Sequence, residues 1–194
     1  AEGGLPPLDY DAEHDDVMNL ARRYPIEPRV EDSGNLDELG YQLVRKGEGF
    51  FDVIHLSGHA GHSPNGPFFA TEGLEGNRID ADDTMIAEAL AGAAPSVLFL
   101  SGCRTGEASD LYATVSLAES LAGRVIAPAV IGWGKPVADR SATAAAAVFY
   151  ENLAGGRSVA RALQSTYARM LRDNDAYWHT LRVYACGRLP GPLI

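Results

Sequence analysis

The sequence predicts an α/β fold: a three-layer sandwich with a mostly parallel central sheet flanked by helices. Three observations carry this. Apolar runs of strand length recur at 50–56, 95–100, 123–131 and 180–185. Helical patterns of roughly 10–15 residues separate the strands, the spacing of right-handed βαβ crossovers. The first two runs also stop at small residues, and each delivers one reactive side chain at the stop, His59 and Cys103. In folds of this kind ligands sit beyond the carboxyl ends of the strands.

Length and composition set the bounds. A chain of 194 residues that is 46% hydrophobic and 22% charged can bury a sizeable core and is ordinary for a globular protein. It carries 26 acidic and 16 basic residues, a net charge of −10. That balance argues against direct nucleic-acid or anionic-membrane binding and leaves room for cationic partners. Cys103 and Cys186 stand far apart in no metal-ligand spacing, so no disulfide framework and no metal site is expected. No stretch approaches the length of a membrane span and no targeting signal is visible; the expected compartment is the cytoplasm.

Taken in order, 1–8 is irregular, with two glycines and two prolines. Residues 11–23 form a helix, with Val17, Leu20 and Ala21 at helical spacing and acids crowding its start, where the helix dipole favours them. Residues 24–31 alternate apolar and polar, but Pro25 and Pro28 demote them to a short edge strand. A turn at 32–35 leads into an amphipathic helix over 36–46, with Leu36, Leu39, Leu43 and Val44 inward. Residues 50–56 are a buried strand. Residues 60–77 are a Gly-rich loop in which 67–71 and 76–79 can form a small hairpin, and a helix follows from Asp80 to about Ala91. After the strand at 95–100 come a polar loop at 104–110 and a helix at 111–121. The strand at 123–131 ends in a loop around Trp133. Helices at 138–153 and 158–172, split by Gly155-Gly156, precede the last strand. No repeat or linker divides the chain, so residues 1–194 are read as one domain.

A thiol attacks as its thiolate, so it needs a depressed pKa or a nearby base, and an imidazole is the usual partner. His59 and Cys103 arrive from different strands, as the partners do in unrelated cysteine hydrolases. Gly58, Gly102 and Gly106 leave room for substrate backbone to approach. The oxyanion needs backbone N–H donors, for which Cys103 and Ala60 or Gly61 are candidates. By spacing alone, a cysteine at a strand end is more often a small buried hydrophobe. His55, inside the strand, reads as a packed or supporting histidine, His62 as a rival base, and Cys186 as structural.

The segment His55-Leu56-Ser57-Gly58-His59-Ala60-Gly61 resembles the His-Phe-x-Gly-His-Gly signature of CHAT domains, a caspase-like module. Leu100-Ser101-Gly102-Cys103-Arg104-Thr105-Gly106 is similar to their Leu-Ser/Asn-Ala-Cys-x-Thr/Ser-Gly block. Residues 130–139, the Phe149-Tyr150-x-x-Leu153 helix with the helix after Gly156, and 178–187 resemble three further blocks in the family's order. The resemblance is best over 50–187 and looser over the helices before it.

The resemblance implies a caspase–hemoglobinase fold and a cysteine endopeptidase making limited cuts in a protein substrate. His59 would be the base, Cys103 the nucleophile, and the amides of Ala60 and Cys103 the oxyanion hole; no third triad member is assigned and no cofactor is expected. A tetratricopeptide-repeat or other sensor, attached or as a partner, would regulate it. The substrate pocket draws its candidates from Trp133, Asp139, Glu107 and Asp110, with Lys135 nearby. Asp139 is equally suited to capping the helix that begins beside it. Two positions depart from the family pattern: Ala60 stands where Gly is usual after the histidine, and Gly102 where Ala is usual before the cysteine. The family's usual first strand also has no counterpart in this chain. These departures motivate the alternative, a catalytically silent interaction module on the same fold.

Overall fold

The computed structural model describes residues 10–104, 113–135 and 137–194. Six strands form one sheet in the order β3-β2-β1-β4-β5-β6. In chain order the elements are α1 (Tyr10–Ala21), α2 (Leu36–Lys46), β1 (Val53–Ser63), β2 (Gly66–Glu72), β3 (Arg78–Ala81), α3 (Asp83–Ala89), β4 (Val97–Arg104), α4 (Ala113–Gly123), β5 (Ala129–Trp133), α5 (Asp139–Ala154), α6 (Val159–Arg172) and β6 (Leu181–Ala185).

Side-chain alternation along the central strands builds two cores, one on each face of the sheet. Val97 and Phe99 of β4 join Ala129, Ile131 and Trp133 of β5 against Phe149 of α5 and Leu163 of α6. Leu98, Leu100 and Val130 point the other way, onto Leu43 of α2, Ile86 of α3 and Leu117 and Leu121 of α4. The three-layer α/β architecture is therefore the one expected.

The sheet is parallel only in its middle. β1 pairs parallel with β4, and β4 with β5. β2, β3 and β6 all join antiparallel. On the β2–β3 side this follows from short connections, since β1–β2–β3 is a meander too short for a crossover, whereas β6 returns antiparallel to β5 after α5 and α6.

Local chemistry accounts for the element boundaries. Asn35 caps α2 by accepting from the amides of Asp37 and Glu38, and Asp82 caps α3 through the amides of Thr84 and Met85. The helix expected from Asp80 therefore starts at Asp83, because Asp80 is already paired with Ala70 in the β2–β3 ladder. Residues 24–31 form no strand, since Pro25 and Pro28 remove ladder donors. Residues 124–128 belong to the turn after α4 rather than to β5. Pro128 lies just outside the strand, and its carbonyl accepts from the Cys186 amide.

The largest departure is β1. It does not stop at residue 56 but runs to Ser63, pairing parallel with β4 from Val53 to Ala60 and antiparallel with β2 from Ala60 to Ser63. Among the described residues no strand borders Val53–His59 on the side away from β4. That edge of β1 is therefore unpaired among the described residues.

Glycines let β2 close over β1. A Cβ on Gly58 would lie 2.6 Å from Cε1 of Phe69, and one on Gly61 would lie 2.5 Å from Cζ of Phe68. Both rings are buried, Phe69 in the core shared with α2–α4. Gly58 therefore makes room for a ring of the protein's own second strand. Gly58→Ala is expected to lower stability by about 1–3 kcal/mol through overpacking, read by urea denaturation against a substitution at Gly191, where a Cβ would meet nothing and φ is not positive.

Candidate functional site

The register of the two central strands decides where the reactive residues stand. Parallel pairing runs Val53↔Val97, His55↔Phe99, Ser57↔Ser101 and on to His59↔Cys103 and Ala60↔Arg104. His59 and Cys103 are thus direct neighbours across the ladder, with strand axes about 5 Å apart. The apolar runs put both residues just past strand ends, and the structure does not. Both lie within strands that continue beyond the apolar runs.

The profile of the CHAT domain family matches residues 5–184. The chain belongs to the CHAT domain family. The match takes in α1 and α2, so it begins well ahead of the better-resembling part at 50–187, and it ends at 184 within β6. A six-stranded mixed sheet, parallel at its centre and flanked by helices, fits the caspase-like fold expected of a CHAT domain. No curated protein matches the sequence.

The two departures from the CHAT pattern turn out to touch each other. A Cβ on Gly102 would lie 3.0 Å from the Cβ of Ala60. Ala60 is buried, sits in the ladder between Phe69 and Arg104, and does not have a positive φ. An alanine after the histidine therefore costs no backbone strain here. The methyl group has moved from one strand to its neighbour, a nearly volume-conserving exchange. The ring of Phe69 also lies 3.7 Å from that Gly102 position, so both Gly58 and Gly102 are covered by Phe69 on this face.

On the opposite face, the one shared with α1 and α5, lies a buried polar cluster. His55 stacks on Phe99 with ring centroids 5.1 Å apart and planes 8° from parallel. Its Nδ1 is 2.5 Å from the Tyr150 hydroxyl of α5. Its Nε2 is 3.3 Å from Oε1 of Glu13 on α1, an ion-pair distance without the alignment of a hydrogen bond. Glu13 also accepts from Ser57 Oγ and, at 2.9 Å, from Ser101 Oγ. The Nδ1–hydroxyl contact orients the ring with Nε2 towards the carboxylate. Burial pushes the Tyr150 phenol well above its usual range, and the nearby Glu13 charge pushes it further. It therefore stays protonated and able to donate.

Glu13 itself titrates low. Burial pushes its carboxyl up, but the close contact and charge of His55 and the hydroxyls of Ser57 and Ser101 outweigh that and hold it at about 2. Its side chain is only 12% exposed. His55 is the packed, supporting histidine that its place within the strand suggests.

The other candidates are placed as follows. His62 is exposed, pairs with Pro67 in the β1–β2 ladder, and is offset by an odd number of residues from His59, so it faces the other way. Cys186 donates its thiol to the Ala122 carbonyl. Trp133 is the last residue of β5, not part of a loop, and is 1% exposed in the core beside Val137 and Phe149. Its Nε1 has no hydrogen-bond partner among the described residues. Asp139 is the first residue of α5, one position inside the Ala138 cap, so it acts on the helix dipole rather than as the cap. Lys135 is exposed. Glu107, Asp110 and Gly106 lie outside the described residues. Among the described residues no group of three or more His, Cys, Asp or Glu could hold a metal ion.

Sequence reasoning passed over Glu13 by counting it among acids that suit a helix start. The signal was its spacing: it precedes Val17 by four and Leu20 by seven, on the inward face of α1. Ser57 and Ser101 carried a similar signal, each two residues ahead of a reactive side chain in an otherwise apolar strand.

Two outcomes follow. In a double-mutant cycle, Ala60→Gly and Gly102→Ala should each cost about 1 kcal/mol, and the double variant should regain about 1 kcal/mol of their sum, read by urea denaturation. The second concerns pH. Because Glu13 falls from 4.5 to about 2 on folding, its contribution is complete above about 4.5 and disappears as pH falls towards 2. The stability difference between wild type and Glu13→Gln should therefore shrink by about 3 kcal/mol over that range, measured by urea denaturation at a series of pH values.

Proposed function

We propose that this CHAT domain is a cysteine endopeptidase that makes limited cuts in a protein substrate, with His59 as base and Cys103 as nucleophile. The observation that carries it is the parallel register that makes these two residues neighbours. The imidazole takes the thiol proton, and the thiolate adds to the scissile carbonyl carbon. We assign the resulting oxyanion to the backbone amide of Cys103, since Ala60 is flanked by a strand on each side. The imidazolium then returns its proton to the leaving amine as the tetrahedral adduct collapses to a thioester. Water, deprotonated by the same imidazole, hydrolyses the thioester and frees the thiol.

Trp133 and Asp139 near the start of α5, with Glu107 and Asp110, are the residues we assign to the substrate pocket. We place the protein in the cytoplasm, where a thiol such as Cys186 stays reduced. No helix among the described residues is long and apolar enough to cross a membrane. Control by a tetratricopeptide-repeat or other sensor, attached or separate, completes the proposal. The open edge of β1 favours a second reading, a non-catalytic interaction module, because unpaired strand edges recruit partners. The Ala60–Gly102 exchange weakens that alternative by accounting for the motif's two departures as packing.

The test is co-expression with proteins encoded beside its gene, with new protein termini read by mass spectrometry. Wild type is expected to generate discrete new termini that Cys103→Ala and His59→Ala lack. Equal termini from Cys103→Ala and wild type would falsify the proposal.

A further inference from the structure

The strand segments that carry His59 and Cys103 lack outer neighbours in the sheet among the described residues. The β4–β5 ladder ends at Phe99↔Ile131, so 101–104 of β4 pair only with β1. Over 53–59, β1 in turn pairs only with β4, since β2 joins it from Ala60 onward. Among the described residues, 57–59 and 101–103 are therefore paired only with each other. A ladder of two strands without outer neighbours is marginal.

One side chain bridges them from above. Glu13 accepts a hydrogen bond from Ser57 of β1 and another from Ser101 of β4, themselves register partners. Each serine stands two residues ahead of one member of the His59/Cys103 pair, about 7 Å along the strand. The carboxylate is steadied in turn by His55, whose ring is fixed by Phe99 and by Tyr150 of α5.

Adhesion of α1 alone does not call for this arrangement. An apolar residue packed on the sheet would hold the helix without desolvating a charge, and buried ionic clusters are often no more stabilising than well-packed apolar ones. What an apolar residue cannot do is accept two directed hydrogen bonds from two different strands. Leu20 already supplies a buried apolar contact from the same helix.

Building on the assignment of His59 and Cys103 as base and nucleophile, we propose that Glu13 is a positioning residue for that pair, clamping Ser57 of β1 to Ser101 of β4 so that the two strand segments stay in register. His55 and Tyr150 hold the clamp in place. The clamp lies on α1, so any partner that draws α1 off the sheet loosens both strands beneath the reactive pair.

The experiment uses the full chain and iodoacetamide, with alkylation of Cys103 and Cys186 followed separately by peptide mass spectrometry across pH, and folding checked by thermal melting. A thiol activated by a neighbouring imidazole reacts below the ordinary cysteine range of about 8.5. Wild-type Cys103 is expected to show that low midpoint, with Cys186 as the internal control. Glu13→Gln should move the Cys103 midpoint up towards the ordinary value and slow its alkylation at pH 6.5 about tenfold, leaving Cys186 unchanged. Glu13→Asp, which keeps the charge, should recover part of the rate. A folded Glu13→Gln variant with the wild-type Cys103 profile overturns the clamp while leaving the assignment of the pair intact. Should Glu13→Gln not fold, Ser57→Ala and Ser101→Ala each remove one hydrogen bond, and wild-type profiles in both overturn it equally. An ordinary midpoint in wild type itself overturns the pair, and the clamp with it.

Discussion

Everything at this site depends on one ladder, the parallel pairing of β1 with β4. It sets His55 beside Phe99, Ser57 beside Ser101, and His59 beside Cys103. Because side chains alternate across a sheet, that single register decides what reaches each face. A slip by one residue would send His55 and Ser57 to the face of α2–α4 and Ile54 and Leu56 to the face of α1 and α5. The two buried cores guard against that slip: Val97 and Phe99 are locked under α5, and Leu98 and Leu100 under α4. The chemistry of the site is thus set by apolar packing several residues upstream of it.

The same ladder explains what was legible in the sequence. Uninterrupted apolar runs such as Val97-Leu98-Phe99-Leu100 identify central strands because both their faces are covered, and the helices between them carry the expected periodicity. The reactive pair was legible because each member follows such a run. Where the strands end was not. β1 continues through Ser57, Gly58, Ala60 and Gly61, residues that read as loop chemistry, since Phe68 and Phe69 from β2 fill the space those small residues leave. Pairing between distant segments, not local propensity, makes 57–63 a strand.

The polar cluster was hidden for a related reason. Glu13 lies among Asp11, Asp15 and Asp16, and composition does not distinguish a carboxylate that points inward from its acidic neighbours. Its role becomes visible only when α1 is laid across β1 and β4 and the two serines converge on it. Trp133 shows the opposite case. Its place after an apolar run suggested an accessible loop, whereas antiparallel pairing with Leu181 draws it into β5 and into the core.

The contact between Ala60 and Gly102 has a consequence for how such motifs evolve and are recognised. Starting from the usual glycine after the histidine and alanine before the cysteine, the present pair is two substitutions away. One intermediate holds two glycines and a void, and the other holds two alanines and a crowded ladder. The two sites are therefore epistatic, each residue tolerated because of the other. A search that scores the histidine block and the cysteine block as separate words penalises this chain twice for what is one compensated exchange.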